Sequence, residues 1–354
     1  MEIKRRKSRI VKIGRVSIGG GNPVAIQSMI KFKTSDTARV LRQARELESA
    51  GCEIIRLAVK DELDARSLKR VKEQVKMPIV ADIHFDYRLA LRAIDSGVDK
   101  IRLNPGNIYK KDQIRQVVSA LKGARIPLRI GLNSGSVKEA RSRSMPDKLV
   151  NSALEYIRII EGFKFRDIVV SLKASGVLDT VSAYRKLARL CDYPLHLGVT
   201  ATGSPFSGAI KTSIALGALL LEGIGDTIRV SLTDTPAREI YAGRAILESL
   251  DLRKFGHSII SCPTCGRCEV DLARVVKELE KQLLFLGTKP GVKPLKVAVM
   301  GCVVNGPGEA READLGIAFG KSEGLLFKKG KPVKKVAFQD CARILLSEME
   351  RIND

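Results

Sequence analysis

The chain reads as an α/β protein: a (β/α)8 TIM-type barrel followed by a small α+β domain. Three observations predict this. Eight short apolar, β-branched runs alternate with helix-length amphipathic segments through the first part of the chain. No dinucleotide Gly fingerprint accompanies them, which favours the barrel over a doubly wound sheet. The pattern then changes near Leu252, where cysteine-bearing loops and a hairpin replace the alternation. The expected domains are residues 1–254 and 255–354.

The strand runs, in order, are Val24–Met29, Ile54–Val59, Ile79–Phe85, Ile101–Asn104, Leu128–Leu132, Ile168–Leu172, Leu195–Thr200 and Ile228–Leu232. Helical patterns lie between them, for example Thr37–Glu48, Asp61–Gln74, Tyr87–Ser96 and Ala183–Leu190. The second domain starts with the Cys262 loop and a helix over Val270–Leu283, then a Pro/Gly-rich linker at Thr288–Pro294. A strand at Lys296–Met300 runs into the Cys302 loop. A hairpin over Gly324–Val336 turns at Lys329-Gly-Lys, and a helix over Ala337–Arg351 ends the pattern.

The chain has 354 residues, with 44% hydrophobic and 29% charged, ordinary for a cored protein. No apolar run approaches the ~20 residues of a membrane span. The basic start, Met1-Glu-Ile-Lys-Arg-Arg-Lys-Ser, precedes no long apolar stretch, so no signal peptide is read and a cytoplasmic protein is expected. Seven cysteines in such a chain argue for metal or redox chemistry rather than a disulfide scaffold. The net charge is +23, of which residues 255–354 carry only +4, from 16 Lys+Arg and 12 Asp+Glu. The basic excess of the first domain suits nucleic acid, a phosphorylated small substrate or an acidic protein partner, or a basic surface kept for solubility.

Residues two apart on a strand share a face. Several strands carry polar residues in that period: Asp82 with His84, Arg102 with Asn104, Arg129 with Asn133, Ser171 with Lys173 and Ser175, and Arg229 with Ser231 and Thr233. Arg56 sits mid-strand in the same way. An arginine on the helix-covered face would be buried without a partner, which is costly. These groups therefore point inward, toward the mouth at the strands' C-terminal ends, where four arginines and a lysine imply an anionic ligand such as a diphosphate. Lys211 follows the loop Gly203-Ser-Pro-Phe-Ser207-Gly208, which opens a helix after the seventh strand and offers backbone N–H groups to anions. Glu239 begins the helix after the eighth strand, either as a favourable N-terminal charge or as a catalytic group. His84, at a strand end, is the proton-handling candidate, whereas His196 and His257 read as structural. Cys52, Cys191 and Cys341 sit alone in apolar contexts and read as buried hydrophobes.

Cys262-Pro-Thr-Cys265-Gly-Arg-Cys268 and Gly301-Cys302-Val-Val-Asn-Gly-Pro-Gly-Glu309 are the metal candidates. Thiolates this close can share a soft metal, and a distant one can close the site. The Gly-Pro-Gly segment reads as a turn that brings a carboxylate back toward Cys302. Zinc wants four firm ligands, and the second segment offers one cysteine. A set of Cys262, Cys265, Cys268 and Cys302 would make an all-cysteine [4Fe–4S] site; Cys262, Cys265, Cys302 and Glu309 would make one with a replaceable oxygen ligand. Spacing alone does not choose.

The chain resembles the 4-hydroxy-3-methylbut-2-enyl diphosphate synthase family in its short, two-domain bacterial form. The segments that carry the resemblance are Val80-Ala-Asp-Ile-His-Phe85, Ile130-Gly-Leu-Asn-Ser134, Leu221-Glu-Gly-Ile-Gly-Asp-Thr-Ile-Arg-Val-Ser231, Cys262-Pro-Thr-Cys265-Gly-Arg and Gly301-Cys-Val-Val-Asn-Gly-Pro-Gly-Glu-Ala310. The resemblance implies a [4Fe–4S] cluster on Cys262, Cys265, Cys302 and an exchangeable Glu309, and demotes Cys268. It implies a substrate pocket of Arg56, Asp82, His84, Arg102, Arg129, Asn133 and Lys211, with Glu239, Glu309 and His84 in catalytic roles. The implied reaction is reductive ring opening and dehydration of 2-C-methyl-D-erythritol 2,4-cyclodiphosphate by a homodimer. Reduced flavodoxin or ferredoxin would be the electron donor, with neither nucleic acid nor membrane as a partner. One departure is visible: the family usually has Thr-Glu-Ala-Gly where this chain reads Thr200-Ala201-Thr202-Gly203. The alternative from another class is a zinc-stabilised nucleic-acid-binding protein, for which 5% aromatic residues and no Trp give few stacking platforms.

Overall fold

The β/α alternation closes on itself. A computed structural model describes residues 3–137, 144–200, 203–286 and 293–353, and the chain divides into units Met1–Arg253 and Lys254–Asp354. The first unit opens with a hairpin of β1 (Val11–Ile13) and β2 (Val16–Ile18), followed by β3 (Ala25–Met29), α1 (Thr37–Ser49), β4 (Ile54–Val59) and α2 (Glu62–Gln74). It continues through β5 (Ile79–Ile83), α3 (Tyr87–Asp95), β6 (Lys100–Leu103), α4 (Lys111–Ala124), β7 (Leu128–Asn133) and α5 (Met145–Gly162). Then come β8 (Ile168–Lys173), α6 (Val177–Leu190), β9 (His196–Leu197), α7 (Pro205–Leu221), β10 (Thr227–Ile228) and α8 (Pro236–Ser249).

Strands β3 to β10 form one parallel sheet in the order β8-β7-β6-β5-β4-β3-β10-β9, and a parallel bridge between Val170 and Leu195 completes the circle. Carboxylate caps start several helices: the Asp36, Asp61 and Asp86 side chains accept from the backbone N–H groups of Arg39, Asp64 and Arg88. The β1–β2 hairpin plugs the lower end, with Val11, Ile13 and Ile18 packed on Ala25, Ile54, Val80 and Val169. The barrel interior therefore opens at the C-terminal ends of its strands.

The expected strands Leu195–Thr200 and Ile228–Leu232 shorten to β9 and β10. Where a Gly198 side chain would stand, Lys173 Nζ lies 2.7 Å away and the Arg229 carbonyl 2.9 Å away, so the wall opens for a side chain. Helix α6 begins at Val177, upstream of the expected Ala183, behind a turn in which Thr180 Oγ1 donates to the Gly176 carbonyl at 2.8 Å. The hairpin was not expected, because three-residue strands carry too little periodicity. Cys52 and Cys341 are buried as expected, but Cys191, which ends α6, is only half-buried.

The second unit contains β11 (Ser258–Ser261), α9 (Leu272–Leu286), β12 (Lys296–Met300), α10 (Gly306–Arg311), β13 (Leu315–Phe319), β14 (Glu323–Lys328), β15 (Lys331–Ala337) and α11 (Cys341–Asn353). Its sheet runs β11-β12-β13-β14-β15. One face, including Val297, Val299 and Ile317, packs with Leu279 of α9 and Leu345 of α11. The other face, including Ala298, Met300 and Ala318, packs with Ala310 of α10. The Gly-Pro-Gly segment expected as a turn instead starts α10, because proline is tolerated in the first helical turn. Strand β13 escaped the sequence reading because it is buried on both faces and so does not alternate. The linker at Thr288–Pro294 falls largely outside the described residues. No helix among the described residues is long and apolar enough to cross a membrane.

Candidate active site

The barrel register places Asp82 beside Arg102, and Arg102 beside Arg129. Arg102 Nη1 donates to Asp82 Oδ1 at 2.9 Å, and its Nη2 donates to the Gly131 carbonyl at 2.8 Å. Arg56 Nε lies 3.6 Å from Asp82 Oδ2, and its guanidinium also contacts the Met29 sulfur. Burial alone would raise the Asp82 carboxyl, but Arg56, Arg102 and Arg129 outweigh it and hold it at about 2. Burial brings the Arg56 guanidinium down to about 10, with Asp82 opposing.

The interior is short of anions. Arg56, Lys100, Arg102, Arg129 and Lys173 are all at most 9% exposed, and the carboxylates buried among them are Asp82 and Glu239. Arg129 is 1% exposed, and its Nε and Nη1 have no hydrogen-bond partner among the described residues. Burial, with Arg56 and Arg102 beside it, pushes this guanidinium well below its ordinary range. Such a group is stable only with an anion to accept its hydrogen bonds. Glu239, on the first turn of α8, is likewise buried. Its Oε1 accepts from the Leu232 N–H at 3.0 Å, while Lys31 and Arg229 stand 3.7 and 3.8 Å away. It is therefore more than an N-terminal helix charge.

His84 directly follows β5 and, with Lys31, Lys60 and Arg229, lines a cavity of about 370 Å³ at the mouth. Asn133 ends β7 at the same rim, half-buried. Lys211 is exposed on the second turn of α7, the helix that follows β9. Ala201 and Thr202, where the family departure falls, lie outside the described residues. His196 is fully buried with its Nδ1 2.7 Å from Thr227 Oγ1, and His257 Nδ1 accepts from the Leu295 N–H at 3.2 Å, so both fill structural places. The sequence reading missed Lys100 and Lys31. The first was legible, since it shares the inward face of Arg102 and Asn104; the second was not, because it lies in a loop.

In the second unit, β11 and β12 are parallel neighbours, so the loops that follow them carry Cys262 and Cys302 from the same sheet end. Cys262 Sγ accepts from the Gly301 N–H at 3.3 Å. Backbone N–H groups of Asn305, Val304 and Gly306 hydrogen-bond the Cys302 sulfur and lower its thiol below the ordinary range, with Arg267 adding to this. The Arg267 backbone and side chain lower Cys265 in the same way, and Cys265 and Cys302 sense one another's charge. Glu309 is exposed in the first turn of α10. Cys268 is engaged differently, donating to the Val270 carbonyl at 3.3 Å and packing on the domain core. Three thiols with N–H···S support are donors of the kind an iron–sulfur cluster takes, and Glu309 follows Cys302 by seven residues. Among the described residues no three ligand side chains are already gathered around one point.

Gly301 tests this crowding. A Cβ there would lie 2.3 Å from Cys268 Sγ and 3.5 Å from Cys262 Sγ. Gly301→Ala is expected to displace the Cys268 sulfur, with Cys262 Sγ left in ordinary contact, and through the resulting shift of the Cys262–Cys268 loop to lower iron incorporation at least about tenfold. Iron and sulfide counted per chain after anaerobic reconstitution check this; undiminished loading would show that the crowding does not matter.

The family description "GcpE TIM-barrel domain" matches residues 8–244, and "GcpE protein C-terminal domain" matches residues 258–351. A protein of Fusobacterium nucleatum named 4-hydroxy-3-methylbut-2-en-1-yl diphosphate synthase (flavodoxin) is 49% identical over 98% of this chain and 97% of its own. One of that name from Caldanaerobacter subterraneus is 50% identical over 99% of both chains. Another, from Clostridium perfringens, is 49% identical over 99% of this chain and 100% of its own.

Proposed function

The chain belongs to the GcpE family, and on that premise we propose the chemistry of its two units. It is an oxidoreductase, a 4-hydroxy-3-methylbut-2-enyl diphosphate synthase of the non-mevalonate isoprenoid route. It opens the ring of 2-C-methyl-D-erythritol 2,4-cyclodiphosphate reductively, with loss of water. The observation that supports this most is the barrel's buried basic cluster, which has two carboxylates to offset five bases and leaves Arg129 with unpartnered N–H groups.

Arg56, Arg102, Arg129, Asn133 and Lys211 would hold the diphosphate, with Asp82 fixing the angle between Arg56 and Arg102. His84 and Glu239 stand at the mouth, where a proton must reach the departing oxygen. A [4Fe–4S] cluster on Cys262, Cys265, Cys302 and Glu309 would supply electrons one at a time. Reduced flavodoxin is the donor that the relatives' names carry, and a ferredoxin would serve the same role. Both units expose apolar side chains where a partner would sit. Phe85, Tyr109, Leu178 and Phe206 lie in the loops and first helical turns that follow the barrel strands, and Val303 and Val304 follow Cys302. Such rims fit a homodimer in which the barrel of one copy faces the cluster loops of another.

Anaerobic turnover of the cyclodiphosphate with a chemical reductant tests the whole reading. A cluster-loaded protein that leaves the cyclodiphosphate unchanged would overturn it. For Glu239→Gln, turnover is expected to fall about 10²–10⁴-fold, the usual worth of a general acid. Substrate affinity, from calorimetry, should change less than about tenfold; equal losses in both would assign Glu239 to binding instead.

A further inference from the structure

Lys100 opens β6 and is fully buried, and its Nζ has no hydrogen-bond partner among the described residues. Arg56 of β4 and Arg129 of β7 act on it as like charges. The other inward-facing charges are Arg102 on its own strand, Asp82 on β5, Lys173 on β8 and Arg229 beyond β10. His196 of β9 faces the same interior and is kept neutral by burial, with Arg129 adding to this. Asp82 is taken by Arg102 and Arg56, and Glu239 by Lys31 and Arg229. An ammonium at Lys100 therefore has no counter-ion among the described residues, and burial pushes its amine well below the ordinary range.

The proposed reaction changes the charge that the pocket must hold, and this inference rests on that reading. In a cyclodiphosphate both phosphoryl groups are diesters with one negative charge each. Reduction breaks the bond from carbon to a ring phosphate oxygen, which leaves a terminal phosphoryl group. The neighbouring hydroxyl leaves as water. Two electrons from the donor and one proton balance the conversion of a dianion to a fully ionised trianion. With both buried lysines neutral, the guanidiniums of Arg56, Arg102, Arg129 and Arg229, with Lys31 at the rim, face Asp82 and Glu239. The linear ligand adds one negative charge to that balance, and offsetting it within the interior needs one further positive charge.

We propose that Lys100 supplies it, as a charge-balancing residue that is a neutral amine beneath the cyclic diphosphate and takes up a proton when the linear diphosphate forms. The buried, unpartnered Nζ among guanidiniums is then a site kept for that proton. Lys173 lies nearer the mouth and is the control.

The test is calorimetry on the cluster-loaded, oxidised enzyme at pH about 8.5. A linear alkyl diphosphate is fully ionised there, since a phosphate's second pKa is about 6. Binding heats in two buffers of different ionisation enthalpy count the protons taken up. Wild type and Lys173→Met should take up about one proton per site with the linear ligand and none with the cyclodiphosphate. Lys100→Met should take up none with either, and bind the linear ligand about 10–100-fold more weakly. Uptake that persists in Lys100→Met, or is lost in Lys173→Met, overturns the assignment. If Lys100→Met does not fold, Lys100→Gln replaces it; should neither fold, wild-type and Lys173→Met uptake decide. Binding without uptake in wild type sinks the Lys100 inference alone. No binding of either ligand sinks the diphosphate reading as well.

Discussion

Cys302→Ser is expected to give a colourless protein whose turnover falls by at least about 10³-fold, because electron delivery goes with the cluster. The sulfur at 302 is the only cysteine that the β12 loop offers, and three backbone N–H groups are already arranged around it. A serine oxygen in the same place is a harder and less acidic donor, so the N–H support would not produce the soft anion that iron in a cluster prefers. Cys268→Ser makes the contrast. Its thiol donates to the Val270 carbonyl at 3.3 Å and packs on the core. The hydroxyl can keep that hydrogen bond, so the variant should stay brown with unchanged iron content. Both variants are compared after anaerobic purification, by broad absorption near ~410 nm and by iron and sulfide counts. A brown Cys302→Ser beside a colourless Cys268→Ser would replace the three-cysteine, one-carboxylate set with a different one.

The barrel was legible because its strands are apolar runs of regular spacing, and Ile54–Val59 falls where the pattern put it. The inward arginines were legible for the opposite reason: Arg102 and Arg129 break otherwise apolar strands in a period of two, which only a polar interior tolerates. Three things were not. The β1–β2 plug has too few residues to show a period, yet it decides which end of the barrel is open. Gly198 looks like any strand glycine until Lys173 is seen in the space it leaves. Glu239 was a candidate that local pattern alone left between a first-turn helix charge and a catalytic group, and its burial beside Lys31 and Arg229 could not be read from that pattern. In each case the missing information is long-range packing, which no local pattern encodes.

Asp82→Asn should destabilise the barrel by about 3–5 kcal/mol, the usual result of removing one partner from a buried ion pair. Asp82 is 3% exposed and accepts from Arg102 at 2.9 Å with Arg56 at 3.6 Å, so its loss leaves two buried guanidiniums without their anion. An amide fills the same space, and the effect is therefore electrostatic rather than a cavity. At about 2–4 °C per kcal/mol for a unit of this size, the barrel transition should fall by about 10 °C. Acid gives a second reading of the same interaction. The carboxyl titrates at about 2 in the fold against an ordinary 3.8. A depressed value means that the stabilisation is complete above the unfolded pKa and is lost as pH falls from about 4 toward 2, roughly 2 kcal/mol in all. Wild-type barrel should weaken through that window, while Asp82→Asn, already without the charge, should lose less over the same range. Because the substitution also removes a negative charge from the pocket, diphosphate binding should survive better than turnover, which needs Arg56 and Arg102 held at a fixed angle. Urea denaturation of both proteins between pH about 5 and 2.5 decides the matter. Matching acid profiles would mean that Asp82 does not hold the two arginines together.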